Sequence, residues 1–316
     1  MATNNNNDQL RVGVIGMGPV GTILAAHLAE AGAYVIPCDI ITTKMDKIKK
    51  SGLRLKNVFE KSVPVPDVSY SVKELGSFDL DLAVISVKTP SLKKVISQLA
   101  EIASDKLYVM CAQNGIDNEV MVAREFGDDK TLRMVVNYAG SMSDANTVHV
   151  SFFNPPNYIA CLSANGRPIV EKIAGLLNSV DMDTEIPEDI QDYIWEKAIL
   201  NAALSAVCAI SRKTMKDVMD FPFTLELVEA IIDESVRVAE MEGIELGRKF
   251  RRFCIRYLKN AGHHRPSMLI DLENGARTEI DQLNGKIVEY GRKHCKPTPL
   301  NHCVTALVHL LEYTVE

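Results

Sequence analysis

The sequence predicts an α/β fold in two parts: an N-terminal Rossmann-type, doubly wound parallel sheet over residues 1–187 and an all-α C-terminal domain over residues 188–316. Three observations predict it. A glycine-rich turn, Gly16-Met17-Gly18-Pro19-Val20-Gly21, follows an apolar strand and opens a helix. Strand-like and helix-like runs then alternate as far as residue 187. Past Pro187 and the acidic pair Glu188-Asp189, a plausible helix start, the periodicity is helical throughout.

The first strand, Val12-Gly13-Val14-Ile15, runs into the glycines, and each glycine has a mechanical task. Gly16 permits the tight turn, Gly18 lets the backbone approach a pyrophosphate, and Gly21 lets helix and strand pack closely. A helix over 22–31 then presents its amino terminus to the phosphates, and a second strand over 34–38 ends at Asp39. Residues 44–50 are helical, 80–87 form a continuous apolar strand, 91–102 a helix, 107–112 a buried strand and 118–126 a helix. Strand-like runs follow at 132–138, 149–153 and 158–162, and alternation of this kind implies a mainly parallel sheet with helices on both faces. Helical periodicity then covers 190–218, 223–242, 246–259, 278–294 and 300–312.

Composition narrows the class. A hydrophobic content of 47%, a charged content of 24% and a formal charge of -6 suit a soluble globular protein and give no nucleic-acid footprint. Seven scattered cysteines, several in apolar runs, fit buried thiols in a reducing cytoplasm. Residues 1–8 lack the charged flank and apolar segment of a secretory signal and read as a short flexible tail. No run approaches the roughly 18 apolar residues of a membrane span, so no membrane partner is expected.

An acid about 20 positions past the glycines accepts hydrogen bonds from the adenosine ribose, and Asp39 lies in that region. Such an acid repels a 2′-phosphate, and only Lys44 nearby offers a compensating charge, so NAD is favoured over NADP. A turn residue capping the next helix is the alternative for Asp39. Lys88 could approach phosphate or ribose oxygens, and Asn114 could hydrogen-bond the nicotinamide ribose or a substrate; a solvated lysine and an Asn-Gly turn are their plain alternatives.

In the second half, Lys197, Asn201 and Ser205 recur every four residues and share one helix face among apolar neighbours. A lysine flanked by Trp195, Ala198, Ile199 and Leu200 is partly desolvated if it faces inward, which suits a proton donor to a carbonyl receiving hydride. A lysine that snorkels to solvent is the alternative. The stretch from His263 to Asp281 reads as a charged loop leading into a helix, with Thr278 as its cap and Glu279 and Asp281 at its positive end. His263 and His264 are adjacent, point apart and lack partners at ligand spacing, so no metal is assigned.

Taken in order, Gly16-Met17-Gly18-Pro19-Val20-Gly21, Ser86-Val87-Lys88-Thr89, Gln113-Asn114-Gly115, Trp195-Glu196-Lys197 with Asn201, and Ser267-Met268-Leu269 through Thr278-Glu279-Ile280-Asp281 resemble the ketopantoate reductase family. Asn284-Gly285 and the run from Gly291 through Pro297-Thr298-Pro299-Leu300-Asn301 continue the likeness. The resemblance implies a 2-oxo acid reduced by NAD(P)H to a 2-hydroxy acid, 2-dehydropantoate to pantoate by default. Lys197 matches the catalytic lysine and Glu279 the glutamate that meets substrate and supports the active-site network. Asn201 and Ser267 match substrate contacts, Asn114 matches an active-site asparagine, and Lys88 a cofactor-side lysine.

Three positions depart from that pattern: Ser205 stands where a second asparagine is usual, His264 where another substrate-contacting asparagine is common, and Ile40 where NADPH-binding members carry arginine. Ser205 and His264 are therefore expected to contact a substrate whose distal groups could differ. The alternatives are an NAD-dependent dehydrogenase oxidising another hydroxy acid and a non-catalytic dinucleotide sensor. The long apolar-faced helices of the second half could supply a homodimer interface.

Overall fold

Strands with apolar residues on both faces, such as Leu82-Ala83-Val84-Ile85, suit a sheet covered on both sides, and that is where the chain places them. The computed structural model describes residues 9–313; the stretch read as a tail lies outside them. The chain divides into two compact units, the first taking the described residues up to Gln113 and Asn118–Ile190, the second Asn114–Asp117 and Gln191 onward.

The first unit contains β1 (Arg11–Ile15), α1 (Pro19–Glu30), β2 (Tyr34–Cys38), α2 (Thr42–Ser51), β3 (Leu53–Asn57), β4 (Lys61–Val63), β5 (Leu82–Ile85), α3 (Leu92–Ala100), β6 (Tyr108–Cys111), α4 (Asn118–Phe126), β7 (Thr131–Val135), β8 (Tyr138–Asp144), β9 (Thr147–Phe153), β10 (Asn157–Cys161), α5 (Arg167–Asn178) and β11 (Thr184–Glu185). Seven strands form the main sheet in the order β11-β10-β7-β6-β5-β1-β2. All neighbours are parallel except β10 against β7. Separate apolar clusters pack on its two faces, one around α1 and α5, the other around α3 and Val122 of α4.

A second sheet, β4-β3-β9-β8, is a finding beyond the sequence reading. It packs on α1, whose residues from Gly21 to Leu28 are all buried. A helix apolar on every side needs cover on every side, and the second sheet supplies it. The run expected as one strand over 132–138 accordingly splits: β7 ends at Val135 in the main sheet, and Tyr138 begins β8 in the other.

The second unit is all helical, as expected: α6 (Ile190–Ser211), α7 (Met215–Asp220), α8 (Pro222–Met241), α9 (Phe250–Lys259), α10 (Ser267–Glu273), α11 (Asn284–Lys293) and α12 (Pro299–Glu312). Three expectations need correction. The periodic run 190–218 breaks at Arg212, whose φ of 56° no helix continues, and Thr214 opens α7 with a capping box to Asp217. The stretch at Ser267, read as loop, is the helix α10. Thr278 caps only a single 3-10 turn, Ile280–Gln282, by accepting the Ile280 N–H at 3.2 Å, and α11 starts later at Asn284. Among the described helices α6 is long and apolar enough to cross a membrane, but 67% of its apolar window is buried within the fold.

Candidate active site

In the first unit, β1 delivers the chain to Gly16 at φ 95°, where a Cβ would sit 2.8 Å from the Val87 side chain and from its backbone nitrogen. A Cβ on Gly21 would run into the Gly16 carbonyl oxygen and Ser86 Oγ. Gly18 differs: a Cβ there would meet open space. Its φ of -75° is one any residue adopts, and it starts α1 with no side-chain cap and no acid in the first turn. Two glycines are thus needed for packing, while the third leaves bare backbone at a helix amino terminus, the arrangement that suits a pyrophosphate. Pro19 takes the first helical position, Val20 packs partly on the core, and the Met17 side chain lies wholly inside it.

Asp39 braces this turn. Its Oδ2 accepts the Met17 N–H at 2.9 Å and Lys44 Nζ at 3.3 Å, and its Oδ1 accepts the Ile41 N–H at 3.1 Å. Lys44 Nζ also donates to the Met17 carbonyl at 3.1 Å. A carboxylate offers about four acceptor positions, so among the described residues three are engaged and one on Oδ1 stays open. By accepting the Ile41 N–H two residues on, Asp39 also forms a turn at the entry to α2, whose N-cap residue itself makes no side-chain cap. Ile40, 85% exposed, follows Asp39 directly. Lys88 is exposed in the loop after β5, beside β1 in the sheet.

In the second unit, α6 carries Asn201 and Ser205 into a small hollow that Ser267, Met268 and Asp271 of α10 close from another side. Glu279 and Leu283, on either side of the 3-10 turn, and Asn114 complete the lining. The hollow measures about 10 Å³, room for about one water molecule. Glu279 and Ser205 are 7% and 5% exposed, so polar groups face it from buried positions.

Asn114 belongs to this unit because its loop is stapled there. Gly115, at φ 101°, lies so close to the 3-10 turn that a Cβ would come within 2.6 Å of Gln282 Cβ. The Ile116 N–H donates to the Gln282 carbonyl at 2.9 Å. Asp117 accepts the Tyr290 hydroxyl on both oxygens at 2.9 Å and Lys286 Nζ at 2.9 Å. Burial first, then the Asp117 charge, pushes the Tyr290 hydroxyl above its ordinary range, which keeps it a donor to that carboxylate. Trp195 packs on the Tyr290 ring with centroids 5.3 Å apart.

The structure therefore brings Asn114, Asn201, Ser205, Ser267 and Glu279 together and groups Gly16, Gly18, Gly21 and Asp39 separately. Lys197 is half-buried one helical turn before Asn201 on the same face of α6, outside the lining of the hollow. His264 also lies outside it, with burial lowering its basicity. Met268, Asp271 and Leu283 are lining residues that sequence reasoning missed. Asp271 stands four residues after Ser267, a helical spacing that could have revealed it; Leu283 carries no such signal.

Family models decide what this arrangement belongs to: the model described as "Ketopantoate reductase PanE/ApbA" matches residues 12–163, and its C-terminal counterpart matches 189–312. The chain belongs to the ketopantoate reductase family. It is 27% identical over 299 residues to the 2-dehydropantoate 2-reductase of Pyrococcus abyssi, covering 95% of this chain and 97% of that protein. The Archaeoglobus fulgidus 2-dehydropantoate 2-reductase is 29% identical over 303 residues, covering 96% and 98%. Among solved structures, a PanE/ApbA family ketopantoate reductase from Ralstonia eutropha JMP134 superposes with a TM-score of 0.86 at 25% identity over 96% and 98%. D-mandelate dehydrogenase, in a ternary structure with NADH and anilino(oxo)acetate, shares the fold with a TM-score of 0.85 at 24% identity over 96% and 98%. Membership in the ketopantoate reductase family makes the chain an oxidoreductase acting on CH–OH groups with a nicotinamide dinucleotide.

Proposed function

We propose that this ketopantoate reductase family member reduces a hydroxylated 2-oxo acid, 2-dehydropantoate by default, to its 2-hydroxy acid with NADH. The observation that carries the reading is the hollow itself, where Asn114, Asn201, Ser205, Ser267 and Glu279 converge in a family of such reductases. Bound NADH supplies the hydride. Negative charge then grows on the carbonyl oxygen, and the Lys197 ammonium, one turn from Asn201, stabilises it and delivers the proton. Asn201, Ser205 and Ser267 offer donors to carbonyl and carboxylate oxygens. Asp271 and Glu279 repel a carboxylate but accept from a hydroxyl, which favours a substrate with a distal hydroxyl.

Support for NAD over NADP comes from Asp39, whose carboxylate already holds Lys44, the first cation after it in the sequence that a 2′-phosphate could use. Oxidation of another hydroxy acid is the second reading, favoured by buried Ser205 in place of an amide donor. Seven free thiols, four of them buried, support a reducing, cytoplasmic setting. Exposed Leu307, Leu310 and Leu311, on one face of α12, support a homodimer.

The test is NADH oxidation with 2-oxo acids bearing hydroxylated, alkyl or aryl ends, with Lys197→Ala alongside. The hydroxylated acid should turn over fastest. The variant should lose about 1,000-fold in kcat while binding NADH within about twofold of wild type, the range expected for a removed proton donor. Wild-type kcat in Lys197→Ala, or no turnover of any 2-oxo acid, would sink the proposal.

A further inference from the structure

We infer that Asn284 is a positioning residue, the end of a buried relay that sets the helix α6 at the turn carrying Asn201 and Ser205. The relay begins at Glu234 on α8, 4% exposed, whose carboxylate accepts the backbone N–H groups of Leu300 and Asn301 at 3.0 Å each and Asn301 Nδ2 at 2.8 Å. A carboxylate that only accepts forces Asn301 to present its amide nitrogen, so its Oδ1 faces the other way. There it accepts Asn284 Nδ2 at 3.0 Å, and that same nitrogen donates to the Ala202 carbonyl at 3.0 Å. Asn284 and Asn301 are both fully buried. Every amide in the chain has one permitted orientation, propagated from the carboxylate.

The cost of the arrangement shows that the donor end is what is kept. Asn284 Oδ1 is buried with no hydrogen-bond partner among the described residues, an expense of about 1–3 kcal/mol that an apolar residue would avoid. Ala202 lies between Asn201 and Ser205, and a helix carbonyl has a lone pair beyond its intrahelical bond, so the Asn284 contact fixes the rotation of α6 at that turn. Asn284 also follows Leu283, which lines the hollow, and starts α11. One residue thus ties the α6 side of the hollow to the side bearing Glu279. Lys197 rides on the same helix, so a rotation would misplace the proton donor together with Asn201.

This inference rests on reading that hollow as the substrate site. The test uses the full chain with Asn284→Leu, and with Asn284→Leu and Asn301→Leu combined. The single variant leaves Ala202 O and Asn301 Oδ1 facing a side chain that cannot donate and should lower the melting temperature. The pair removes both amide side chains, while the Glu234 carboxylate gives up Asn301 Nδ2 but keeps its two backbone donors, and should recover most of that loss. A residue needed only for stability would regain activity at the same time. A positioning residue would not: kcat for NADH-dependent reduction of 2-dehydropantoate should stay down about 100-fold, with KM within about threefold. Backbone amides of 198–206 should also exchange faster with deuterium. Wild-type kcat and unchanged exchange in the double variant would overturn the inference. Should that variant not fold, Glu234→Gln, which keeps the size but removes one acceptor oxygen, should lower kcat about tenfold, and an unchanged kcat would count equally against it. If wild type turns over no 2-oxo acid, the functional reading fails while the exchange measurement still decides the role of Asn284.

Discussion

The two candidate sites are built from different materials. The glycine turn of the first unit is mostly backbone, a strand end, a positive-φ residue and the open start of α1, all within residues 11–21. The hollow of the second unit is side chains delivered by four separate segments, from Asn114 to Leu283. A backbone site depends on conformation, so its requirements are local and a substitution within it acts through sterics. A side-chain site depends on packing among distant elements, so its requirements are spread along the chain and held by relays such as Glu234, Asn301 and Asn284.

The steric character of the turn is open to direct attack. Gly21→Ala places a methyl against the Gly16 backbone carbonyl, which cannot retreat without shifting the turn, and against Ser86 Oγ, which can turn away only by giving up its bonds to the Ile15 and Gly16 carbonyls. It should destabilise the first unit by about 3 kcal/mol or more, the scale of core overpacking, visible as a lower melting temperature without any cofactor. Gly18→Ala meets open space at an ordinary φ, so stability should hold while KM for NADH rises about tenfold through crowding of the bound phosphates. If the two alanines behaved alike, the division between packing glycines and an approach glycine would be wrong.

The same contrast explains what the sequence disclosed. The turn, both strands beside it and the helical character of the second half were legible because each has a local signature in glycine spacing or periodicity. The second sheet was not, although α1 announced it: Ile23, Leu24, Ala25, Ala26 and Leu28 surround the helix, and a helix covered on one side alone would have shown a polar face. Asn201 and Ser205 were legible from their four-residue spacing on α6, but Ser267 and Glu279 were named through family resemblance, because nothing local joins Asn114 and α6 to them. Their meeting depends on Gly115 closing against Gln282 and on Asp117 being held by Tyr290, contacts between residues more than a hundred positions apart.

Acid should separate the two units. His27, on α1 in the first, is fully buried beside Phe59, with Nδ1 bonded to the Ile23 carbonyl at 2.7 Å and Nε2 buried without a partner among the described residues. Burial lowers its pKa from 6.5 to about 4. The unfolded chain therefore binds a proton below pH 6.5 that the folded chain refuses until about pH 4, so stability falls as pH drops through that window. At about 1.4 kcal/mol per pH unit the loss is about 3 kcal/mol by pH 4. Denaturant titrations at pH 7 and pH 4.5, followed by amide exchange, should show α1 and its sheets loosening before the helical unit, and His27→Gln should flatten the difference. Equal loss in both units would mean that other groups govern acid sensitivity.

The smallest expected effect is the most discriminating, because Asp39 combines the two kinds of construction. Its side chain serves the backbone turn by holding the Met17 N–H and Lys44, and in the proposed reading the acceptor position still open on Oδ1 takes a ribose hydroxyl. Asp39→Ala removes both services and also frees Lys44, which would then be available to a 2′-phosphate. KM for NADH should rise about tenfold, the worth of one charge-assisted hydrogen bond, while KM for NADPH rises less or falls. A brace alone predicts something else: loosening the turn harms both dinucleotides by the same factor. Equal changes for NADH and NADPH would therefore assign Asp39 to the architecture of the turn and remove it from cofactor choice. Lys44→Ala in the same background separates the remaining contribution, since any gain toward NADPH in Asp39→Ala must vanish once the freed cation is gone.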